Sequence, residues 1–202
     1  INEAWLVNAG SLLHQWNKYL KSRGWFVEQN LHPDEIRIVR EGYWWGNIHS
    51  RYLVFCEGAH GRLNPFFPGI PFTRNRGDAL ILEIPGLPET AIYHSTYRLV
   101  PKGNRLFWYG SNYQWQYPDL QPDSFWRQKA VQHLNQWLKL PYRIVEHVVA
   151  ERPTTAGQVP VIKFHPEFPD MVMFNGLGTK GFTNGPALAI ELCRQLTETH
   201  AL

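Results

Sequence analysis

The tightest constraint on this chain lies in its last fifty residues. There an apolar run, Met171-Val172-Met173-Phe174, enters a glycine-rich turn at Gly176, Gly178 and Gly181, and the turn opens into a helix-like run from Pro186. A strand feeding a glycine turn at a helix N-terminus directs backbone N–H groups outward and adds the positive end of the helix dipole. Such a turn suits an anion or a polarised oxygen. The spacing reads G-x-G-x-x-G, yet a dinucleotide fold uses that motif to open a βαβ unit of about thirty residues, with an acid about twenty positions on for the ribose. Only 21 residues follow Gly181, room for one helix and no second strand. The turn is therefore expected to meet its ligand from the closing end of a fold.

Ahead of this block the pattern changes twice. Leu12, Leu13, Trp16, Tyr19 and Leu20 recur at helical spacing before Gly24, which predicts an amphipathic helix over 10–22. Short strands are expected at Trp25–Gln29 and Glu35–Val39, with His32-Pro33-Asp34 as a turn. Tyr52–Cys56 reads as a buried parallel strand that stops at Glu57-Gly58. From Gly61 to about Pro118, Pro and Gly punctuate β-like stretches at Ala79–Ile84, Ala91–Val100 and Arg105–Tyr113, with a hairpin at Lys102-Gly103-Asn104. Asp123 or Ser124 caps a second helix that carries Trp126, Ala130, Leu134, Trp137 and Leu138. A strand from Tyr142 to Ala150 leads into the C-terminal block. The fold class this implies is α+β with α/β character: an α/β layer, left for an antiparallel sheet and then resumed. Such a course predicts two interleaved domains with a site at their seam.

Composition excludes several functions. Hydrophobic residues make up 44% and charged residues 18%, so global disorder is ruled out. A net charge of +3 with no basic run argues against nucleic acid. No run approaches the ~20 apolar residues of a membrane span and no secretory signal is visible, so neither a membrane partner nor export is expected. Cys56 and Cys193 lack C-x-x-C spacing and lie in apolar stretches, so they are expected to be buried free thiols, and the chain to be cytoplasmic. The first residue is Ile1 and not Met, as in a processed chain or a piece of a longer one.

Two kinds of residue could hold a ligand. Arg152, beyond the Tyr142–Ala150 strand and ahead of Pro153, offers a planar guanidinium for bidentate capture of a carboxylate. It could equally pair with a nearby acid for structure alone. Tyr97 and its neighbours Tyr93 and Tyr113 could donate hydroxyls from the sheet face, or simply pack as cross-strand aromatics. His165, in His-Pro-Glu, has no partner at metal-ligand spacing, and no metal site is expected. No G-x-S-x-G, Walker or cysteine-nucleophile signature is present, which leaves hydrolase and NTPase functions without support.

Several segments together resemble a known family. They are Glu151-Arg152-Pro153-Thr154-Thr155, Val159-Pro160-Val161-Ile162, His165-Pro166-Glu167, Phe174-Asn175-Gly176-Leu177-Gly178-Thr179-Lys180-Gly181 and Gly185-Pro186. In this order they resemble the C-terminal signature of the D-amino-acid oxidase family, FAD-dependent amine oxidases that include glycine and sarcosine oxidases. Leu53-Val54-Phe55-Cys56-Glu57-Gly58, Arg76-Gly77 with Ala79-Leu80, and Arg105-Leu106-Phe107 with Tyr109-Gly110-Ser111 look like earlier pieces of the same pattern. The family's opening βαβ unit, with its true dinucleotide fingerprint, has no counterpart here. The resemblance thus implies roughly the C-terminal three-fifths of such an oxidase.

The resemblance also implies roles. Residues 1–58 and 151–202 would belong to the FAD layer and 59–150 to the substrate domain. Arg152 would grip the substrate carboxylate, and Tyr97 would stand on the substrate side. Backbone N–H groups of Gly181, Phe182 and Thr183 would face the flavin C2 oxygen, with Gly176, Gly178, Thr179 and Lys180 shaping that turn and Gly58 near the adenosine end. FAD would be the cofactor of the full-length parent and bind weakly or not at all to this chain alone. The partners would be a small amine or amino-acid substrate and the missing N-terminal segment of the same polypeptide. The flavin would take a hydride from the carbon bearing the amine, with no side chain required as a base. A non-catalytic ligand- or protein-binding domain derived from that fold is the alternative.

Overall fold

The computed structural model describes residues 6–198. Helix α1 (Ala9–Ser22) leads to a meander of β1 (Arg37–Val39), β2 (Gly42–Trp45) and β3 (Ile48–Ser50). Strand β4 (Leu53–Phe55) lies parallel to β11 (Met171–Asn175), which pairs with β10 (Val161–Phe164). Between them in sequence lies a five-stranded antiparallel sheet in the order β6-β7-β8-β5-β9. Its members are β5 (Phe72–Glu83), β6 (Tyr93–His94), β7 (Arg98–Gly103), β8 (Leu106–Gly110) and β9 (Arg143–Thr155). Helix α2 (Ser124–Trp137) precedes β9, and α3 (Gly181–Glu198) ends the described chain. The fold is mixed α+β, and its α/β portion is interrupted by the antiparallel sheet.

One face of the large sheet is conventional core. Leu80, Leu82, Leu99, Phe107 and Tyr109 alternate inward and meet Trp126, Ala130, Leu134 and Leu138 of α2, all buried. Burying side chains of this size contributes roughly 1.5–3 kcal/mol apiece. Asp123 caps α2 by accepting from the N–H groups of Phe125 (2.9 Å) and Trp126 (3.1 Å). The hairpin turn falls at Gly103-Asn104-Arg105, where all three residues have positive φ.

Several expectations need correction. Trp25–Gln29 forms no strand; Trp25 is 65% exposed, because an isolated alternating stretch needs a neighbouring strand to bond to. The His32–Glu35 region forms a 3-10 turn at Pro33–Glu35, so the following strand begins only at Arg37. Helix α1 is present but buries none of its residues. Of the β4 residues only Phe55 is buried, since the strand forms a sheet edge. The strand expected to stop at Ala150 runs on to Thr155, so Arg152 lies within it, paired with Asn75. Pro153 is tolerated there because β9 is the sheet's outermost strand. The last helix starts at Gly181 and takes Pro186 inside it. Both cysteines are free but exposed: Cys56 follows the inward Phe55, and Cys193 follows the inward Leu192.

A buried ion pair ties the sheet to what surrounds it. The fully buried Asp78 accepts from Arg76 Nε (3.1 Å) and Nη2 (3.0 Å), from the Asp123 N–H (3.1 Å) and from Asn112 Nδ2 (3.5 Å), with His147 Nε2 at 3.0 Å. Arg76 also donates to the carbonyls of Asp119 and Gln121, so one pair anchors the loop from β8 to α2. Burial works against the Asp78 carboxylate, but the hydrogen bonds from Arg76 and the Asp123 N–H outweigh it and hold its pKa below the ordinary value. Such a group stabilises the fold above the unfolded carboxylate pKa of about 3.9, and the contribution fades as pH falls toward its folded value. Asp78→Asn leaves Arg76 charged and unmatched in the core, and is expected to cost about 3–5 kcal/mol. It should also flatten the dependence of stability on pH below about 4. Urea unfolding at a series of pH values checks both; a cost below about 1 kcal/mol would show that the pair does not support the fold.

Candidate functional site

The face of the large sheet opposite α2 is built from small residues. Gly77 and Ala79 of β5, Gly110 of β8, and Val148 and Ala150 of β9 floor a cavity of about 640 Å³. Alternation places them there, since Leu80, Leu82, Phe107 and Tyr109 take the positions facing the core. Trp108 forms a wall, and Tyr97, Tyr113, Arg152 and Thr179 of the glycine turn also border the cavity. A second cavity, of about 840 Å³, shares Trp108 and Thr179 with the first and reaches the start of α1.

Arg152 is the chemical centre of the first cavity. Its guanidinium donates from Nη1 to Asn75 Oδ1 (2.5 Å) and from Nη2 to Ser111 Oγ (2.6 Å) and the Asn112 carbonyl (3.0 Å), while Tyr113 stacks on it with the guanidinium carbon 4.4 Å from the ring centroid. Among the described residues no carboxylate forms an ion pair with it. The adjacent Glu151 points to the other face, where it takes the Tyr117 hydroxyl (2.5 Å) and the cations Arg62 and Arg74. Half-burial pulls the Arg152 pKa below its ordinary value, while Tyr113 and Asp78 oppose the shift. A guanidinium stays charged regardless. The protein orients this cation with neutral acceptors and leaves its charge for a ligand. Gly77 makes the position possible, because a Cβ there would stand 2.1 Å from Arg152 Nη2.

The tyrosines separate. Tyr97 borders the cavity, but its ring packs on the α2 side of the sheet against Tyr109, Trp126 and His133, and its hydroxyl accepts there from Trp126 Nε1 (3.0 Å). Tyr113 covers Arg152. Tyr93 packs toward α2, stacks on Trp137 and donates to the Pro88 carbonyl, so it does not serve the cavity. His165 folds back on its own turn, where Nδ1 accepts from the N–H groups of Glu167 and Phe168.

The glycine turn reaches the same place. Gly176, Gly178, Thr179 and Lys180 border a 60 Å³ cavity together with Asn75, Tyr113 and Arg152. Gly176 (φ 76°) and Gly178 (φ 55°) hold the left-handed conformations that let the turn pack on Thr155 and Thr154. Several N–H groups are consumed inside the turn: Gly178 donates to the Pro153 carbonyl, Lys180 to Leu177 and Thr183 to Lys180. The N–H groups of Gly181 and Phe182, at the mouth of the 18-residue α3, have no backbone partner among the described residues, unlike that of Thr183. The fully buried Asn75 Nδ2 also has no partner, and Arg152 fixes that orientation by claiming Oδ1. Gly58 borders none of these three cavities; its carbonyl accepts from Asn175 Nδ2 (2.9 Å), which ties the segment three residues beyond β4 to the end of β11. Asn75, Asn112 and Trp108 carry roles that sequence patterns did not single out, and Gly77 and Ser111 entered only as parts of family-like segments. Their one signal was the placing of Gly77, Ala79, Gly110 and Ala150 at alternate strand positions.

Comparison with known proteins places this arrangement. A family model described as FAD dependent oxidoreductase matches residues 1–195. The fold is similar to that of iminodiacetate oxidase from Chelativorans sp. BNC1, with a TM-score of 0.65 and 16% identity over 81% of this chain and 48% of that one. Glycine oxidase from Geobacillus kaustophilus gives 0.63 and 18% over 82% and 47%, and L-proline dehydrogenase from P. horikoshii 0.60 and 17% over 79% and 45%. The chain spans about half the length of these structures.

The turn's glycines should respond differently to substitution. Gly176→Ala places a Cβ in a left-handed conformation, 3.0 Å from Thr155 Cγ2 and 3.2 Å from the Val159 carbonyl. The expected loss is about 1–2 kcal/mol from the backbone alone, or roughly 2–8 °C in Tm. Gly181 lacks positive φ and has no atom within 4 Å of a built Cβ, so Gly181→Ala should leave Tm unchanged or slightly raised. Thermal melts of the two variants check the contrast, and equal losses would refute this account of the turn.

Proposed function

The chain belongs to the family of FAD-dependent oxidoreductases, and on that footing we propose that it provides the substrate trough and flavin-facing turn of an enzyme oxidising a small amine or amino acid. The observation that carries this proposal is Arg152, a half-buried cation held by three neutral acceptors at the end of a cavity. A substrate carboxylate would complete its charge.

The turn fits the cofactor. Open space at Gly181 and the N–H groups of Gly181 and Phe182 present donors only at the mouth of α3. Such a set suits the acceptor-rich pyrimidine edge of a flavin, which residues 178–182 would hold. FAD, when bound, accepts the two electrons that leave the substrate's amine-bearing carbon. The chain's own contribution is positional and electrostatic. Arg152 fixes the carboxylate, Trp108 walls the trough, and the positive end of the α3 dipole favours negative charge beside the turn. No Asp or Glu lines the trough, and no side chain is assigned as a base.

Three surfaces support a companion segment that completes the flavin body. Helix α1 leaves Leu12, Leu13 and Trp16 more than half exposed, the alternating stretch at 25–29 has no strand beside it, and β4 ends its sheet. A companion strand and helix from the amino-terminal part of the same polypeptide would cover all three and carry the pyrophosphate site. No helix among the described residues is long and apolar enough to cross a membrane. The two free thiols fit a cytoplasmic setting.

Two experiments test this proposal. In the flavin-loaded protein, Arg152→Leu should raise KM for a carboxylate-bearing amine by roughly 30- to 5,000-fold with flavin absorbance retained. Gly77→Ala should weaken binding in the same direction by displacing the guanidinium without removing it. A KM change below a few-fold in a folded, yellow Arg152→Leu protein would make Arg152 structural. The 202-residue chain alone should bind FAD only weakly. Submicromolar affinity in a fluorescence titration would contradict the need for a companion segment.

A further inference from the structure

The cavity holds a second cation that the proposed reaction has not used. Arg98 of β7 and His94 of β6 both line it, and the two are register partners on one face of the sheet. Leu99, between them and the core, is fully buried, so alternation sends Arg98 to the trough side. Arg98 pairs across the sheet with Gly110, and Gly110 in turn pairs with Ala79. Arg98 thus stands one strand spacing, about 5 Å, from Gly110, and Arg152 donates to the next residue, Ser111. Between the positions of the two arginines the cavity is floored by Gly110, Ala79 and Gly77, the smallest residues available. Neither arginine has an ion-pair partner among the described residues, and no Asp or Glu lines the cavity. Two like charges facing one trough repel each other, and that repulsion is relieved by a ligand with an anion at each end.

We propose that the trough takes a doubly anionic substrate, an amino dicarboxylate or its close equivalent. One carboxylate sits on Arg152, and the second acidic group sits on Arg98 with His94 beside it. This rests on the assignment of Arg152 as a carboxylate site and adds the substrate class to it. An amine with a single carboxylate and an apolar tail would leave Arg98 unmatched and gain nothing from the far end.

The test uses the 202-residue chain and two unreactive probes, glutarate and butyrate, followed by tryptophan fluorescence, for which Trp108 in the cavity wall is the reporter. The wild-type chain is expected to bind glutarate at least about fivefold more tightly than butyrate, a preference that shrinks as salt is raised. Arg98→Gln, at an exposed position without partners, should bring glutarate down to the level of butyrate. Arg152→Gln should weaken both probes, with a circular dichroism melt confirming the fold. Equal affinities in the wild type, or a preference that survives Arg98→Gln, would overturn the second anion site while leaving Arg152 as a carboxylate site. Arg152→Gln binding both probes as the wild type does, or no binding of either by the wild type, would overturn the Arg152 assignment and this inference with it.

Discussion

The Arg76–Asp78 pair is the interaction on which the site depends. An ion pair this buried is costly to desolvate, and it is retained only where further hydrogen bonds satisfy both groups. Here the surplus goes to the loop from β8 to α2. Asp78 receives the Asp123 N–H at the helix cap, and Arg76 takes two loop carbonyls. The Asp78 N–H also donates to Asn112 Oδ1 at 2.6 Å. The Asn112 carbonyl then accepts Arg152. A structural pair on β5 thereby orients a ligand-facing cation on β9 through a single intervening residue.

Arg152 illustrates how a protein keeps a charge available. A carboxylate neighbour would have stabilised the folded state but neutralised the site. Asn75, Ser111 and Asn112 instead supply dipoles that fix the fork without cancelling it, and Tyr113 offers its ring face. The nearest acid in sequence, Glu151, is drawn to the opposite face by Arg62, Arg74 and Tyr117. Strand alternation separates the two functions of neighbouring residues, structural on one side and ligand-directed on the other.

The small-residue floor and the glycine turn solve different problems of space. Gly77 and Gly110 keep the sheet surface low so that side chains and ligand can lie across it. Gly176 and Gly178 instead serve the backbone, since their left-handed conformations fold the turn against Thr154 and Thr155. That packing aims the open end of α3 at the region shared by both cavities, where Thr179 stands. The large uncovered surface along α1 and β4 accords with a chain spanning about half the length of the solved structures it resembles.

Local pattern and motif order carried much of this protein. The amphipathic spacing of α1 and α2, the Asp123 cap, the hairpin at Gly103-Asn104 and the strand–turn–helix of the last thirty residues were legible because each is encoded by neighbours in sequence. The alternating stretch at 25–29 misled, because a strand exists only with a partner and local alternation does not supply one. Cys56 and Cys193 misled for a related reason: an apolar neighbourhood does not say which side of a strand or helix faces outward. What only the tertiary structure decided is the company of Arg152. Its acceptors come from positions 75, 111 and 112, and its proposed counterpart from position 98. Sheet register brings these residues together across forty to eighty positions, and register is set by long-range pairing and core packing that no local pattern expresses.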